Sequence, residues 1–66
     1  MHILYTHPGF RDVRMEVAKR FYIKEKNEWS LKIRWHHKKG GLLSGYYRIK
    51  ISDKLWKEFK RVYIDE

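Results

Sequence analysis

Hydrophobic and polar residues alternate along three segments of the chain, which is the pattern of β-strands that bury one face. The clearest segment is residues 29–37, where the apolar positions are Trp29, Leu31, Ile33 and Trp35. Residues 46–51 alternate in the same way, with apolar side chains again at odd positions. The pattern therefore predicts two strands whose odd-numbered residues face a common core.

Residues 13–24 show a weaker form of the same alternation. Lys19 interrupts the apolar odd positions, and Ala18 favours neither face. A helix over residues 11–24 is the competing interpretation, because several of the same apolar residues also lie on one side at about 100° per residue. That helix would place Arg14 inside its apolar arc, so we predict a strand and keep the helix as the alternative. The apolar odd positions are Val13, Met15, Val17, Phe21 and Ile23.

Two breaks join these segments into an antiparallel meander. A three-residue loop, Glu25-Lys26-Asn27, would pair Ile23 with Trp29 and Phe21 with Leu31, so that the odd residues of both strands share one face. Asn27 is expected in the left-handed conformation that closes such a loop. The second connection, residues 38–45, contains Gly40 and Gly41.

The C-terminal segment predicts an amphipathic helix over residues 53–64. Ser52 is a suitable N-cap and Asp53 an acidic first-turn residue. The apolar positions recur at helical spacing: Leu55, Trp56, Phe59, Val62 and Tyr63. We therefore expect one α+β domain over residues 1–66, with a three-stranded antiparallel meander packed against this helix. Ile3 and Tyr5 leave open a short fourth strand.

In element order, residues 13–64 resemble the AP2-type and tyrosine-integrase arm-binding domains, which have three strands and a C-terminal helix. The residues that carry the resemblance run from Asn27-Glu28-Trp29 to Arg34, where that family has a G-x-W strand. This chain has Asn27-Glu28 instead of the glycine, so no base-reading residue is transferred. The resemblance implies a sheet that docks into the major groove of DNA, and it supports the fold more than the function.

Composition narrows the class of protein. The chain has 66 residues, 16 Lys+Arg against 8 Asp+Glu, a net charge of +8 and no cysteine. Disulfide frameworks and cysteine-ligated metals are therefore excluded, and a chain this short has little room for a deep substrate cleft. The charge predicts a polyanionic partner, with DNA or RNA first. Without a membrane-span pattern or signal peptide we expect a cytoplasmic protein, and the absence of Gln leans towards a thermophilic source.

Most of the basic residues of the predicted strands are at even-numbered positions, so the positive charge is expected on one face of the sheet. The even-numbered face would carry eight basic residues, Arg14, Arg20, Lys24, Lys32, Arg34, Lys38, Arg48 and Lys50, against Glu16 and Glu28. Lys and Arg displace counterions from phosphates, and exposed aromatic rings can stack on bases. The predicted nucleic-acid-binding residues are Arg14, Arg20, Tyr22, Lys32, Arg34, His36, Lys38, Lys39, Tyr46, Arg48 and Lys50.

Simpler interpretations of the same residues stay open. Long basic side chains on an exposed sheet face also keep proteins soluble and discourage edge aggregation. Tyr22 and Tyr46 are equally suited to cross-strand packing. The Lys38-Lys39-Gly40-Gly41 turn matches no phosphate-binding fingerprint, and Leu42 and Leu43 would either fold onto the core or meet a partner.

The sequence predicts no metal site and no cofactor. His36 and His37 are neighbours on a strand, so they point to opposite faces and cannot share one ion. One enzyme class stays open, since a metal-independent ribonuclease needs only basic, His and Tyr side chains such as Arg34, His36, Tyr46 and Arg48. Gly45-Tyr46-Tyr47-Arg48-Ile49 resembles the G-x-Y-R-I/V strands of compact toxin ribonucleases, although the helices that precede them in that family are absent from this sequence.

We therefore expect a small non-enzymatic protein that binds DNA or RNA through the even face of its sheet. The alternatives are the ribonuclease and a basic inhibitor that docks on an acidic host protein. The sequence does not distinguish DNA from RNA, and it leaves a monomer and a small homo-oligomer open.

Overall fold

Five antiparallel strands and one short helix make up the computed structural model, which describes residues 2–64. The strands form one sheet in the order β4-β3-β2-β1-β5. The helix has one turn, so nothing helical in the described residues has the length or apolar character of a membrane span. The elements in chain order are β1 (His2–Thr6), β2 (Val13–Ile23), β3 (Glu28–His37), β4 (Tyr47–Ser52), α1 (Asp53–Trp56) and β5 (Lys60–Ile64).

β2, β3 and β4, at one side of the sheet, confirm the predicted antiparallel meander. β3 pairs with β4 so that odd residues oppose odd residues, as in Leu31↔Ile49. β2 is a strand, which rejects the helical alternative for residues 11–24. The fourth strand that the sequence left open is β1, which pairs with β2 through Tyr5↔Met15.

The prediction of a helix over residues 53–64 is wrong beyond Trp56. Ser52 is the N-cap as expected, because its Oγ accepts the backbone N–H of Leu55 at 3.1 Å. The chain then turns and forms β5, which pairs along β1 with Leu4↔Val62. A short helix in water gains little from its own hydrogen bonds, whereas β5 satisfies the free edge of β1. The long helix of the AP2-type layout is therefore not present in this fold.

An extra residue in β2 changes which side chains share a face. Before Ala18, β2 pairs with β3 odd to odd, as in Met15↔Trp35, but the register shifts between Val17 and Lys19. Beyond this β-bulge, each later side chain of β2 faces the opposite side from the one its parity predicts.

The bulge corrects the predicted hairpin register. Ile23 pairs with Glu28, not with Trp29, and Phe21 pairs with Ser30, not with Leu31. The turn is residues 24–27, one residue longer than expected. Asn27 has φ 52°, which confirms its predicted left-handed conformation.

The core lies on the odd-numbered face of β3, under the segment that crosses from β4 to β5. Met15, Leu31 and Ile33 are fully buried there. The Trp56 ring of the crossing segment packs against the rings of Tyr5 and Trp29, at centroid distances of 4.9 and 5.7 Å. Trp29 Nε1 also donates to Asp53 Oδ1 at 2.8 Å, which fixes α1 over the sheet. The apolar core is small, so each member contributes a large share of the stability.

Met15→Ala should lower the free energy of unfolding by about 2–5 kcal/mol, because it removes most of a fully buried side chain and leaves a cavity. Urea unfolding followed by tryptophan fluorescence measures the change. Leu43→Ala is the matched control, since Leu43 is 54% exposed and its truncation should change stability by less than about 0.5 kcal/mol. Equal effects of the two substitutions would contradict this assignment of the core.

Candidate nucleic-acid interface

One face of the sheet collects most of the basic side chains of the strands, and we call it the basic face. It comprises the even-numbered residues of β3 and β4, and those residues of β2 that the register places beside them. Tyr46, which directly precedes β4, joins it through a hydrogen bond to Glu16. Its principal members are Arg14, Glu16, Lys19, Phe21, Ile23, Glu28, Ser30, Lys32, Arg34, His36, Tyr46, Arg48 and Lys50.

The bulge removes two predicted residues, Arg20 and Tyr22, from the basic face. Their cross-strand partners are Leu31 and Trp29, whose side chains face the core side of the sheet. Arg20 Cζ lies 5.9 Å from the centroid of the Trp56 ring. Even-numbered positions predict Arg20 and Tyr22 on the same face as Lys32 only if β2 is an unbroken strand.

Tyr22 packs against Trp29, its cross-strand partner on the core side of the sheet. Its ring is 5.2 Å from that of Trp29, and its hydroxyl donates to Asn27 Oδ1. This is the cross-strand packing that the sequence left open for Tyr22. The other aromatic residue in that alternative, Tyr46, stays on the basic face.

The same bulge brings Lys19 and Phe21 onto the basic face, whereas strand parity alone predicts both on the opposite face. Phe21 pairs with Ser30, and Lys19 pairs with Lys32. The phenyl ring of Phe21 is therefore placed on the charged side of the sheet with 57% of the residue exposed. The interruption of the apolar pattern at Ala18 and Lys19 was the signal in the sequence that could have revealed this shift.

A shallow groove runs along this part of the basic face. Phe21 and Ile23 of β2 form one wall, and Arg48 and Lys50 of β4 form the other. Ser30 of β3 lies between them and is only 8% exposed, so its small side chain forms the floor. Adjacent strands are about 4.8 Å apart, so the two walls stand about 10 Å apart. Lys19 and Lys32 extend the groove at one end.

Glu16 organises the other half of the basic face. Its Oε1 accepts hydrogen bonds from Arg34 Nε at 2.9 Å and from His36 Nε2 at 2.6 Å. Its Oε2 accepts the hydroxyl of Tyr46. Glu16 is 6% exposed, and the Arg34 guanidinium also stacks on Tyr46, with Cζ 4.5 Å from the ring centroid. These four residues, the Glu16 cluster, form one connected polar network.

The network stabilises the ionised form of Glu16. Burial alone would raise the pKa of this carboxyl, but hydrogen bonds from Tyr46, Arg34 and His36 together outweigh it and lower the pKa from 4.5 to about 2. The hydrogen bond to the Glu16 carboxylate raises the pKa of the Tyr46 hydroxyl. Glu16 is therefore a fixed acceptor at neutral pH and holds the Arg34 and His36 side chains in place.

The remaining predicted residues lie at the margin of the basic face or beyond it. Arg14 is half-buried and pairs across the strands with His36. Lys38 and Lys39 follow the end of β3, and Lys38 Nζ forms an ion pair with Asp12 Oδ1 at 3.3 Å. Within the described residues, no group of three or more His, Asp or Glu side chains is arranged to hold a metal ion.

The turn that follows β3 is tight and leaves its leucines exposed. Gly40 and Gly41 have φ values of 100° and 102°, which L-residues with side chains rarely adopt. Leu42 and Leu43 are each 54% exposed, so they do not fold onto the core.

Glu16→Gln should destabilise the protein at neutral pH and much less in acid. A folded-state pKa below the unfolded value gives stability that is present above about pH 4.5 and is lost as the pH falls towards 2. The shift corresponds to about 3 kcal/mol. Urea unfolding of both proteins between pH 7 and pH 2 should show their difference in unfolding free energy narrowing by about that amount. Glu25→Gln, in the exposed turn, is the control, and a difference independent of pH would contradict the network.

Comparison of the chain with known protein families, with curated protein sequences and with solved structures gives no match. Any function assigned to the basic face therefore depends on the residues and geometry of this chain. The two features available are the groove beside Phe21 and the Glu16 cluster next to it.

Proposed function

We propose that the protein binds nucleic acid through the basic face. The observation that carries the proposal is the groove, where an exposed aromatic ring stands among Lys19, Lys32, Arg48 and Lys50. Cationic side chains neutralise phosphates and release their counterions, and this term supplies most of the affinity of nonspecific binding.

The ion pairs of the protein favour a ligand-binding role over simple solubility. Lys38 pairs with Asp12 and Lys57 with Asp53, both away from the groove. Lys19, Arg48 and Lys50 make no salt bridge with any residue of the chain between positions 2 and 64. A surface that serves only solubility mixes both signs of charge. The residues that line the groove include no acidic side chain, and the acidic neighbour Glu28 lies opposite Ile23, at the end away from Lys19 and Lys32.

The double substitution Arg48→Ala/Lys50→Ala should weaken binding to DNA and RNA and make it less dependent on salt. For each phosphate that the variant no longer neutralises, the slope of log affinity against log salt should become shallower by about 0.9 on duplex DNA and by about 0.7 on single strands. Fluorescence anisotropy titrations at several salt concentrations measure both quantities. Lys54→Ala, which removes one positive charge where the double variant removes two, is the control for charge outside the groove, because Lys54 is an exposed lysine of α1.

Two outcomes would overturn the proposal. One is that the wild-type protein binds neither duplexes nor single strands at low salt. The other is that its binding does not change with salt. Either outcome would favour the basic inhibitor of an acidic protein, which pull-downs after nuclease treatment would detect.

A second candidate function, metal-independent RNA cleavage, is favoured by the Glu16 cluster. His36 has its Nε2 held by Glu16, which would orient the ring and leave Nδ1 for proton transfer, while Arg34 lies beside it to hold a phosphate. In this reaction the 2′-oxygen of the ribose bonds to the adjacent phosphorus and gives its proton to His36. The bond from phosphorus to the 5′-oxygen breaks, and that oxygen takes a proton from solvent, since the Tyr46 hydroxyl donates its hydrogen bond to Glu16. The buried Glu16 would orient His36 and would not itself act as the base.

If the protein cleaves RNA, His36→Ala should lower the rate by about 10²- to 10⁴-fold, the usual contribution of a general acid–base group. His37→Ala is the matched control, because the neighbouring histidine of β3 points to the opposite face. Cleavage of a single-stranded RNA in the presence of a metal chelator is followed by gel electrophoresis, with DNA of the same sequence as the resistant substrate. RNA left intact by the wild-type protein would remove this candidate and leave the binding proposal unaffected.

A further inference from the structure

Phe21 is the most exposed of the large hydrophobic residues in the part of the chain that the structure describes, at 57%. Exposing a phenyl ring loses the hydrophobic gain of burying it, and β2 has a core-facing side on which Arg20 and Tyr22 lie instead. The bulge at Ala18 thus places an aromatic ring on the charged side of the sheet. A ring in this position is accessible to a partner that is itself flat and apolar on its face.

The surroundings of Phe21 define that partner further. Ser30 is its cross-strand neighbour and leaves an open depression beside the ring, and Ile23 extends the apolar wall by one position on the same face. Lys50 and Arg48 stand across the floor, and Lys19 precedes Phe21 by two residues on the same strand. The ligand that complements this groove is apolar along the β2 side, and anionic along the β4 side and at the end where Lys19 and Lys32 lie.

We propose that the groove binds single-stranded nucleic acid by stacking an unpaired base on Phe21, with the neighbouring phosphates on Lys19, Lys32, Arg48 and Lys50. This inference rests on the proposed function and adds to it the strandedness of the ligand and the residue that contacts the base. Aromatic rings stack on every base, so the contact is independent of sequence.

A single strand fits the groove better than a duplex does. Bases in a duplex are stacked on each other and present only their edges in the grooves, where recognition depends on hydrogen-bond donors and acceptors. Phe21 has neither, and the small Ser30 is deep in the floor at 8% exposure. The face of an unpaired base is free to contact the ring, whereas a duplex would gain only the phosphate contacts.

Phe21→Ala should weaken binding of a dye-labelled oligothymidine roughly five- to 150-fold, the range found when a stacking aromatic is replaced. Phe21→Trp should retain the affinity, and Phe21→Leu, which keeps apolar bulk without an aromatic face, should lose it. Tyr22→Ala is the matched control, because Tyr22 is the adjacent exposed aromatic at 42% but lies on the other face of the strand. Its affinity should stay within about twofold of the wild-type value.

Three further ligands distinguish the contribution of base stacking to the affinity from the contribution of phosphate charge. A duplex of the same length, an RNA strand of matching sequence and an abasic strand with the same number of phosphates are titrated with wild-type protein and Phe21→Ala. The abasic strand and the duplex should show no effect of the substitution, because neither offers an unpaired base. The ratio of the affinities for the DNA strand and the RNA strand shows which of the two nucleic acids the protein prefers. Circular dichroism of each variant confirms that it is folded.

The outcomes distinguish this inference from the proposal on which it depends. Unchanged affinity of Phe21→Ala for both single strands, or an equal loss in Tyr22→Ala, overturns the stacking site. So does a wild-type preference for the duplex. In these cases salt-dependent binding would still support a phosphate-binding face. Absence of binding to all ligands would overturn the proposed function itself.

Discussion

The extra residue at Ala18 is the constraint on which the arrangement of the basic face depends. A strand that pairs in one unbroken register keeps every second side chain on the same face. β2 is long enough to pair with β1 at one end and with β3 along its length. Because of the bulge, the odd-numbered residues of β2 face the core before Ala18 and the basic face after it. The first half buries Met15 in the core, and the second half exposes Phe21 beside the lysines. Without the bulge, the register of Val17↔Ile33 would continue along β2 and place Arg20, in place of Phe21, opposite Ser30.

The basic face is divided into two halves with different electrostatics. In the half organised by Glu16, the buried carboxylate compensates Arg34 and fixes His36 and Tyr46 through hydrogen bonds. Removing one partner from such a network leaves the others desolvated and unsatisfied, so this half is rigid. None of the residues that line the groove beside Phe21 is acidic, and Lys19, Arg48 and Lys50 form no salt bridge with another described residue, whereas Lys32 lies over the ring of Tyr46. The hydrogen bonds of the first half therefore fix its side chains relative to one another, whereas three cations of the second half have no ion-pair partner among the described residues.

The sequence predicts the parts of this fold that depend on local pattern. β3 and β4 alternate without interruption, so their faces follow from parity, and Ser52 and Asn27 have the conformations that their chemistry favours. The bulge and β5 depend on pairing with strands distant in the chain, which local pattern does not contain. Residues 60–64 have apolar positions compatible with a helix or a strand, and the free edge of β1 decides between them.

The same limits apply to the candidate site. Parity placed Lys32, Arg34, His36, Arg48 and Lys50 correctly on one face because β3 and β4 carry no bulge. It misplaced Arg20 and Tyr22 and missed Lys19 and Phe21 because all four lie beyond Ala18. Glu16 was counted only as a negative charge, since its three hydrogen-bond donors come from β3 and from the residue before β4, which no spacing along the chain connects.

The two halves of the basic face meet at Lys32, which links the two candidate functions. Its Nζ lies 5.5 Å from the ring centroid of Tyr46, a member of the Glu16 cluster, while its cross-strand partner Lys19 lies at the end of the groove. A single strand whose base stacks on Phe21 would therefore extend its next phosphates towards Arg34 and His36. The same bound strand would then contact both halves of the basic face. The groove would provide most of the affinity, and the Glu16 cluster would hold His36 and Arg34 beside the phosphate to be cleaved. Because the groove would not need the cluster in order to bind, the proposed binding function explains the charge of this face with fewer assumptions than cleavage does.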